Sequence, residues 1–289
     1  SFKGARAGLA SILASTGSGG AAEYLSSDSI AAMYASTREP QQLFDELTAQ
    51  LFRFSPAFQS ILASAEAQIG ISFSNDLARA LGTESALSID GIPATGPVWT
   101  MAMLINDSSA FDSTMRKLAD AVNAGLEKAG KPERMEIEQE SLDGRTWTTM
   151  KVSPFAVTWT YDRGYMVAGS DRGAAARAIA TRNGGSPLVW SPAFQQQLAT
   201  SAGLHPSGFV WLNTNGVLQG LAALVPNASI QKLAAERDPI LVTFGGTMEQ
   251  IRAVSRTRLS GVILNFLLLQ GLNPGSAGVQ TAKAQPGKY

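Results

Sequence analysis

Residues 134–170 alternate between strand-like runs and tight turns: RMEIEQES, Asp143-Gly144, RTWTTMKV, FAVTWTY, Asp162-Arg163-Gly164 and YMVAGS. Asp-Gly between two alternating runs is a strong hairpin sign. Runs chained through such turns can pair only with antiparallel neighbours. This stretch therefore commits the chain to an antiparallel sheet, and the remaining segments have to cover it.

Helical spacing supplies the cover. EPQQLFDELTAQLF (39–52) places Leu43, Phe44, Leu47 and Leu51 on one face, with Pro40 suited to a first turn. NDSSAFDSTMRKLADAVNAGLEKAG (106–130) opens on a capping Asp or Ser and closes on Gly130 and Pro132. DRGAAARAIATR (171–182) follows the hairpins, and SNDLARALG (74–82) reads as a helix ending on Gly82. Further strands are expected at 29–36, SALSIDGI, GPVWTMAMLI, 207–214, PILVTFG and EQIRAVSRTRL. In GPVWTMAMLI, period-two alternation puts Trp99, Met101, Met103 and Ile105 on one face. Short helices at 215–225 and 229–236 and an apolar helix at 260–272 complete the set.

The pattern gives an α+β fold: one antiparallel sheet, or two related sheets, with helices packed mainly on one face. Residues 1–22 read as an N-terminal helix and flexible joint, and 23–190 as a first α+β unit containing the four-strand meander. Residues 191–272 read as a second, shorter unit packed on the first, and 273–289 as a disordered tail. Strand–helix–strand–strand–helix recurs at 29–130 and 207–272, a weak internal duplication. A phrase also recurs, FSPAFQSIL at 54–62 and WSPAFQQQL at 190–198, but on opposite sides of the matching strands. It is better explained as helix-start chemistry: Ser caps, Pro pre-sets the first turn, and Phe and Leu four residues apart face the core.

Composition removes several chemistries. The 289 residues are 45% hydrophobic and only 16% charged, so the chain folds. Lys+Arg and Asp+Glu balance at 23 each, which leaves no overall field to recruit nucleic acid. With no cysteine there are no disulfides, thiol nucleophiles or cysteine metal sites. The longest apolar run, Val262–Leu269, is interrupted by Asn265 and is too short to span a bilayer. Beginning at Ser1 without Met, the chain reads as either an artificially trimmed or a mature form, in which a removed leader would leave no trace.

Near-motifs fail on context. GLEKAGKP (125–132) nearly spells a P-loop, but it follows a helix and has Pro132 where a hydroxyl is needed. GSGGAA (17–22) satisfies a dinucleotide fingerprint without the preceding strand, so a flexible linker is expected. Ser229 and Lys232 match S-x-x-K, yet the chain holds no Lys-Thr-Gly. His205, the single histidine, would have to serve any triad, and no G-x-S-x-G elbow accompanies it. Glu136, Glu138 and Glu140 share a strand face, where carboxylates either run glycoside chemistry or shield a sheet edge. Arg252, Arg256 and Arg258 share another, suited to phosphate or carboxylate groups or simply to solvent. Trp99, Trp147, Trp159, Trp190 and Trp211, with Met101, Met103 and Phe209, line either an apolar cavity or a core.

Four strings carry a family resemblance: YLSSDSIAAMYASTREPQQLFDEL, DLARALGTESALSI, GYMVAGSDRGAAARAI, and SPAFQQQL ahead of FVWLNT. In this order, over roughly residues 23–220, they resemble a bacterial envelope family known only as a domain of unknown function. Ser26-Ser27 departs from the Pro-Ala more usual there. The resemblance implies an exported or membrane-anchored α+β protein and brings no catalytic residue.

Residues and resemblance together favour a non-catalytic binding or scaffolding module of the cell envelope. It is expected to be periplasmic, or membrane-anchored with the anchor removed. Envelope lipid, glycan or protein are the candidate partners, with no nucleic acid, membrane span, cofactor or metal. A carrier of an apolar ligand such as a lipid, and a serine or carboxylate hydrolase, are the alternatives. No catalytic residue is assigned; Arg252, Arg256 and Arg258 are the ligand-binding candidates.

Overall fold

The computed structural model describes residues 18–93, 96–198, 207–216, 239–246 and 251–255. Its strands are β1 (Ala31–Ser36), β2 (Leu81–Gly91), β3 (Val98–Ile105), β4 (Glu136–Leu142), β5 (Arg145–Val152), β6 (Phe155–Asp162), β7 (Tyr165–Gly169), β8 (Gly208–Leu212), β9 (Ile240–Gly246) and β10 (Ile251–Ser255). They form one sheet in the order β10-β9-β8-β1-β2-β3-β7-β6-β5-β4. Every neighbouring pair is antiparallel. The helices are α1 (Pro40–Phe54), α2 (Pro56–Ile69), α3 (Ser108–Lys128), α4 (Arg172–Arg182) and α5 (Pro192–Leu198). The fold is α+β, and the hairpin turns fall where the sequence places them, with positive φ at their centres: Asp143 and Gly144 have φ 53° and 74°, Arg163 and Gly164 49° and 85°.

The helices, expected mainly on one face, cover both. β7 shows why: all five of its residues, YMVAG, are buried, so neither side of that strand is polar. Tyr165 and Val167 join a core with Tyr24, Ala175, Ile179, Phe194, Phe209 and Trp211, brought by the first turn of the described chain, α4, α5 and β8. Met166 and Ala168 point the other way, into a second core with Phe111 of α3 and Trp159 of β6. Phe111 meets Trp159 edge-on at 6.4 Å. Two hydrogen bonds tie α3 down beside it, from Tyr161 Oη (2.6 Å) and Trp159 Nε1 (3.3 Å) to Asp112.

Two local readings are corrected. The stretch read as a flexible joint ends in a buried 3-10 turn, Gly20–Tyr24, with Ala21 and Ala22 inside the core. Gly20 serves close packing, since a Cβ there would collide with the Tyr165 hydroxyl, while Gly19 takes a positive φ of 78°. The helix expected at 74–82 is a π turn (Phe73–Leu77) and a 3-10 turn (Ala78–Ala80), after which β2 already begins at Leu81. Gly82 is no helix cap: Leu104 of β3 lies against it, 2.5 Å from where a Cβ would stand.

The recurring strand order acquires a geometry. β1 and β8 pair with each other, Tyr34 opposite Phe209, and β2-β3 and β9-β10 extend outward from them on either side. The sheet therefore runs without a break across the 190/191 division. The expected helix at 215–225 is entered at 214–216, where Asn213 caps Gly216 N–H (3.2 Å). The N-terminal helix, the helices at 229–236 and 260–272 and the tail lie outside the described residues.

Candidate functional site

β4 is an edge strand, and its alternation sets Glu136, Glu138 and Glu140 on one face opposite Lys151, Thr149 and Trp147 of β5. Glu138, Glu140, Trp147, Thr149 and Thr158, with Arg172 from the first turn of α4, line an open groove of about 330 Å³. Lys151 Nζ donates to Glu138 at 2.6 Å, and Arg172 donates to Glu140 at 2.9 Å. The hydrogen bond to Glu138 holds the Lys151 ammonium above its ordinary value. The Thr149 and Thr158 hydroxyls bond each other at 3.0 Å, and buried Trp147 forms the floor. Both groove carboxylates, Glu138 and Glu140, are thus committed to a cation. The groove presents fixed charges of both signs, which suits holding a polar ligand.

The other sequence candidates do not converge on it. Arg252 lies on β10, the opposite edge of the sheet from β4, while Arg256, Arg258, Ser229, Lys232 and His205 lie outside the described residues. The Trp/Met face of β3 is filled by the chain itself: Trp99, Met101 and Met103 pack around Phe111 and Met115 of α3. Phe194 of α5 fills the corresponding place over Trp211 at 5.8 Å. Among the described residues no group of three or more His, Cys, Asp or Glu could hold a metal ion, and no helix is long and apolar enough to cross a membrane.

Two features escaped the sequence reading. The first is a buried polar cluster around Glu84. This carboxylate, 3% exposed, accepts from Ser18 Oγ (2.8 Å), Tyr165 Oη (3.0 Å), Gly19 N–H (3.1 Å) and Ala21 N–H (3.3 Å). Burial alone would push it up, yet these donors hold it below its ordinary value. Next to it, Tyr24 donates to Asp162 (2.9 Å) and accepts from Arg182 (2.7 Å), whose guanidinium lies over the rings of Tyr24 and Tyr165. Arg182 Nε stands 2.9 Å from Glu23, an ion pair off the line of a hydrogen bond. Apart from Arg182 Nε, these groups find hydrogen-bond partners within the protein, so the cluster locks residues 18–24 onto the sheet. A charged residue at an inward position of the Glu84-Ala86-Ser88 alternation was the available signal.

The second is the elbow where α1 meets α2 through the single extended residue Ser55 (φ −144°, ψ 93°). α1 buries only Leu43, and no side chain described in α2 is buried. Phe52 and Phe58 stack across the elbow at 6.0 Å, while Leu51 (46%), Phe54 (87%) and Ile61 (63%) stand in solvent. A second apolar row crosses the open part of the sheet, where Met33 of β1 lies between Leu87 of β2 and Val210 of β8, all three exposed. No family model, no curated protein and no solved structure matches the chain.

Proposed function

We propose that this chain is a non-catalytic binding or scaffolding module of the bacterial cell envelope, working outside the cytoplasm. The observation that carries the reading is the α1–α2 elbow. Two helices totalling 29 residues add one buried side chain to the core yet hold three large apolar groups in water. Leaving an apolar side chain of that size exposed forgoes about 2 kcal/mol each, a cost that a partner's surface would remove. The envelope setting rests on the ordered strings that resemble an envelope family. The polar groove supports the same reading, because its cation–carboxylate pairs offer recognition without a free nucleophile.

Native mass spectrometry of the protein isolated from its own host tests this. A co-purifying species that disappears in Phe54→Ser is the expected result. Turnover of any ester, peptide or glycoside substrate by the purified protein contradicts the reading, as do identical, bare spectra for both proteins.

A further inference from the structure

We infer that the α1–α2 elbow docks on a lipid surface, with Leu51, Phe54 and Ile61 entering the acyl boundary and Arg53 meeting lipid phosphate. The inference rests on the binding-module reading and names its partner. The charge pattern of the two helices carries it. From Leu47 to Ala65 the single charged residue is Arg53, exposed beside Phe54. The carboxylates on either side are tied back toward the body of the protein. Glu46 is ion-paired with Arg38 (2.9 Å), Asp45 accepts from Ser74 (2.7 Å), and Glu66 accepts from the Phe73 N–H (2.7 Å). The end that projects is therefore apolar and cationic, and the acids stay at the base.

That polarity matches an anionic bilayer surface, where apolar burial and phosphate attraction add. It fits a second copy of the chain poorly. A symmetric contact through the elbow would bring Arg53 toward its own counterpart with no carboxylate near the junction to pair with it. The half-buried Gln50 and exposed Gln59 side chains provide headgroup hydrogen-bonding capacity near the apolar groups.

Flotation of the full chain with vesicles of phosphatidylcholine, with and without phosphatidylglycerol, tests the proposal. Wild type is expected to float with the phosphatidylglycerol vesicles, more weakly in high salt. Phe54→Ser and Ile61→Ser each lower the partition coefficient about tenfold or more, from the lost apolar transfer. Arg53→Ala removes most of the preference for phosphatidylglycerol. Phe155→Ser, at a side chain 74% exposed on the start of β6, leaves flotation unchanged. Unchanged thermal midpoints confirm that the variants are folded. Failure of wild type to float with either vesicle overturns the inference, as does an equal loss in Phe155→Ser. A dimer that Phe54→Ser abolishes, without vesicle binding, assigns the elbow to a second copy; it overturns the lipid inference while the binding-module reading stands. Enzymatic turnover would sink that reading and leave a positive flotation result intact.

Discussion

The phrase Ser-Pro-Ala-Phe-Gln occurs twice and meets two fates. At 191–195 it opens α5, where the Ser191 hydroxyl accepts from Phe194 N–H at 3.2 Å. There Phe194, 3% exposed, lies 4.8 Å from the ring of Phe209 and 5.8 Å from Trp211. At 55–59 it opens α2, where Ser55 sits at the cap position without a side-chain cap bond and Phe58 is only half-buried against Phe52. The local chemistry is shared: Ser-Pro starts a helix in both places. What differs is the neighbourhood. β8 and β9 lie under α5, whereas α2 packs mainly on its own partner helix and the flank of α3. Five identical residues thus specify a helix start and leave burial to the surroundings.

The largest expected effect separates the two copies directly. Phe194→Ala should cost about 4 kcal/mol in urea unfolding, because it opens a cavity in a packed aromatic cluster. A cost under about 1 kcal/mol would place Phe194 outside the core. Glu84→Gln comes next, at about 2 kcal/mol, since one amide cannot accept from four donors. Its pH dependence has a definite sign. Glu84 is depressed below 4.5 in the folded protein, so its contribution is complete above that value and lost as pH falls through the folded value. The difference between wild type and Glu84→Gln should therefore shrink on acidification below pH 4.5. A constant difference would remove Glu84 from the acid response.

Phe58→Ala, the counterpart of the first substitution, should cost about 1 kcal/mol, the scale of a half-buried aromatic pair. A loss equal to that of Phe194→Ala would erase the distinction between the copies. The smallest effect belongs to Tyr34, whose buried hydroxyl makes no hydrogen bond of good geometry among the described residues, only poorly aligned polar contacts with Gly19 and Ser36, and is pushed up to about 12 by burial. Tyr34→Phe should change stability by less than about 0.5 kcal/mol, because no bond is lost. A larger loss would show that the hydroxyl is satisfied in solution.

The strands were legible because their signals are local. Asp143-Gly144 fixes one hairpin and Arg163-Gly164 another, and alternation placed Trp99, Met101 and Met103 on one side. The helix boundaries of α1, α3 and α4 were legible for the same reason: Pro40 at the first turn, and Asp107 and Asp171 capping at 2.9 and 2.8 Å. Long-range facts were not legible. No local pattern reveals that β1 and β8 pair and so join the two parts of the sheet, or that Leu104 claims the space above Gly82. The joint was misread over 18–22 because glycine serves equally for freedom and for close approach, and only Tyr165 and Glu84, more than 60 residues away, decide which. The groove was half legible: Glu138 and Glu140 were singled out, while their cations Lys151 and Arg172 come from other elements.

The claim on which the functional reading turns is that the apolar side chains of the elbow do not hold the fold together. Urea unfolding of the double variant Phe54→Ser/Ile61→Ser measures this most directly. Stability within about 0.5 kcal/mol of wild type is predicted, since both side chains are already mostly in water. A loss of about 2 kcal/mol or more would make the elbow part of the core and contradict its role as a contact surface.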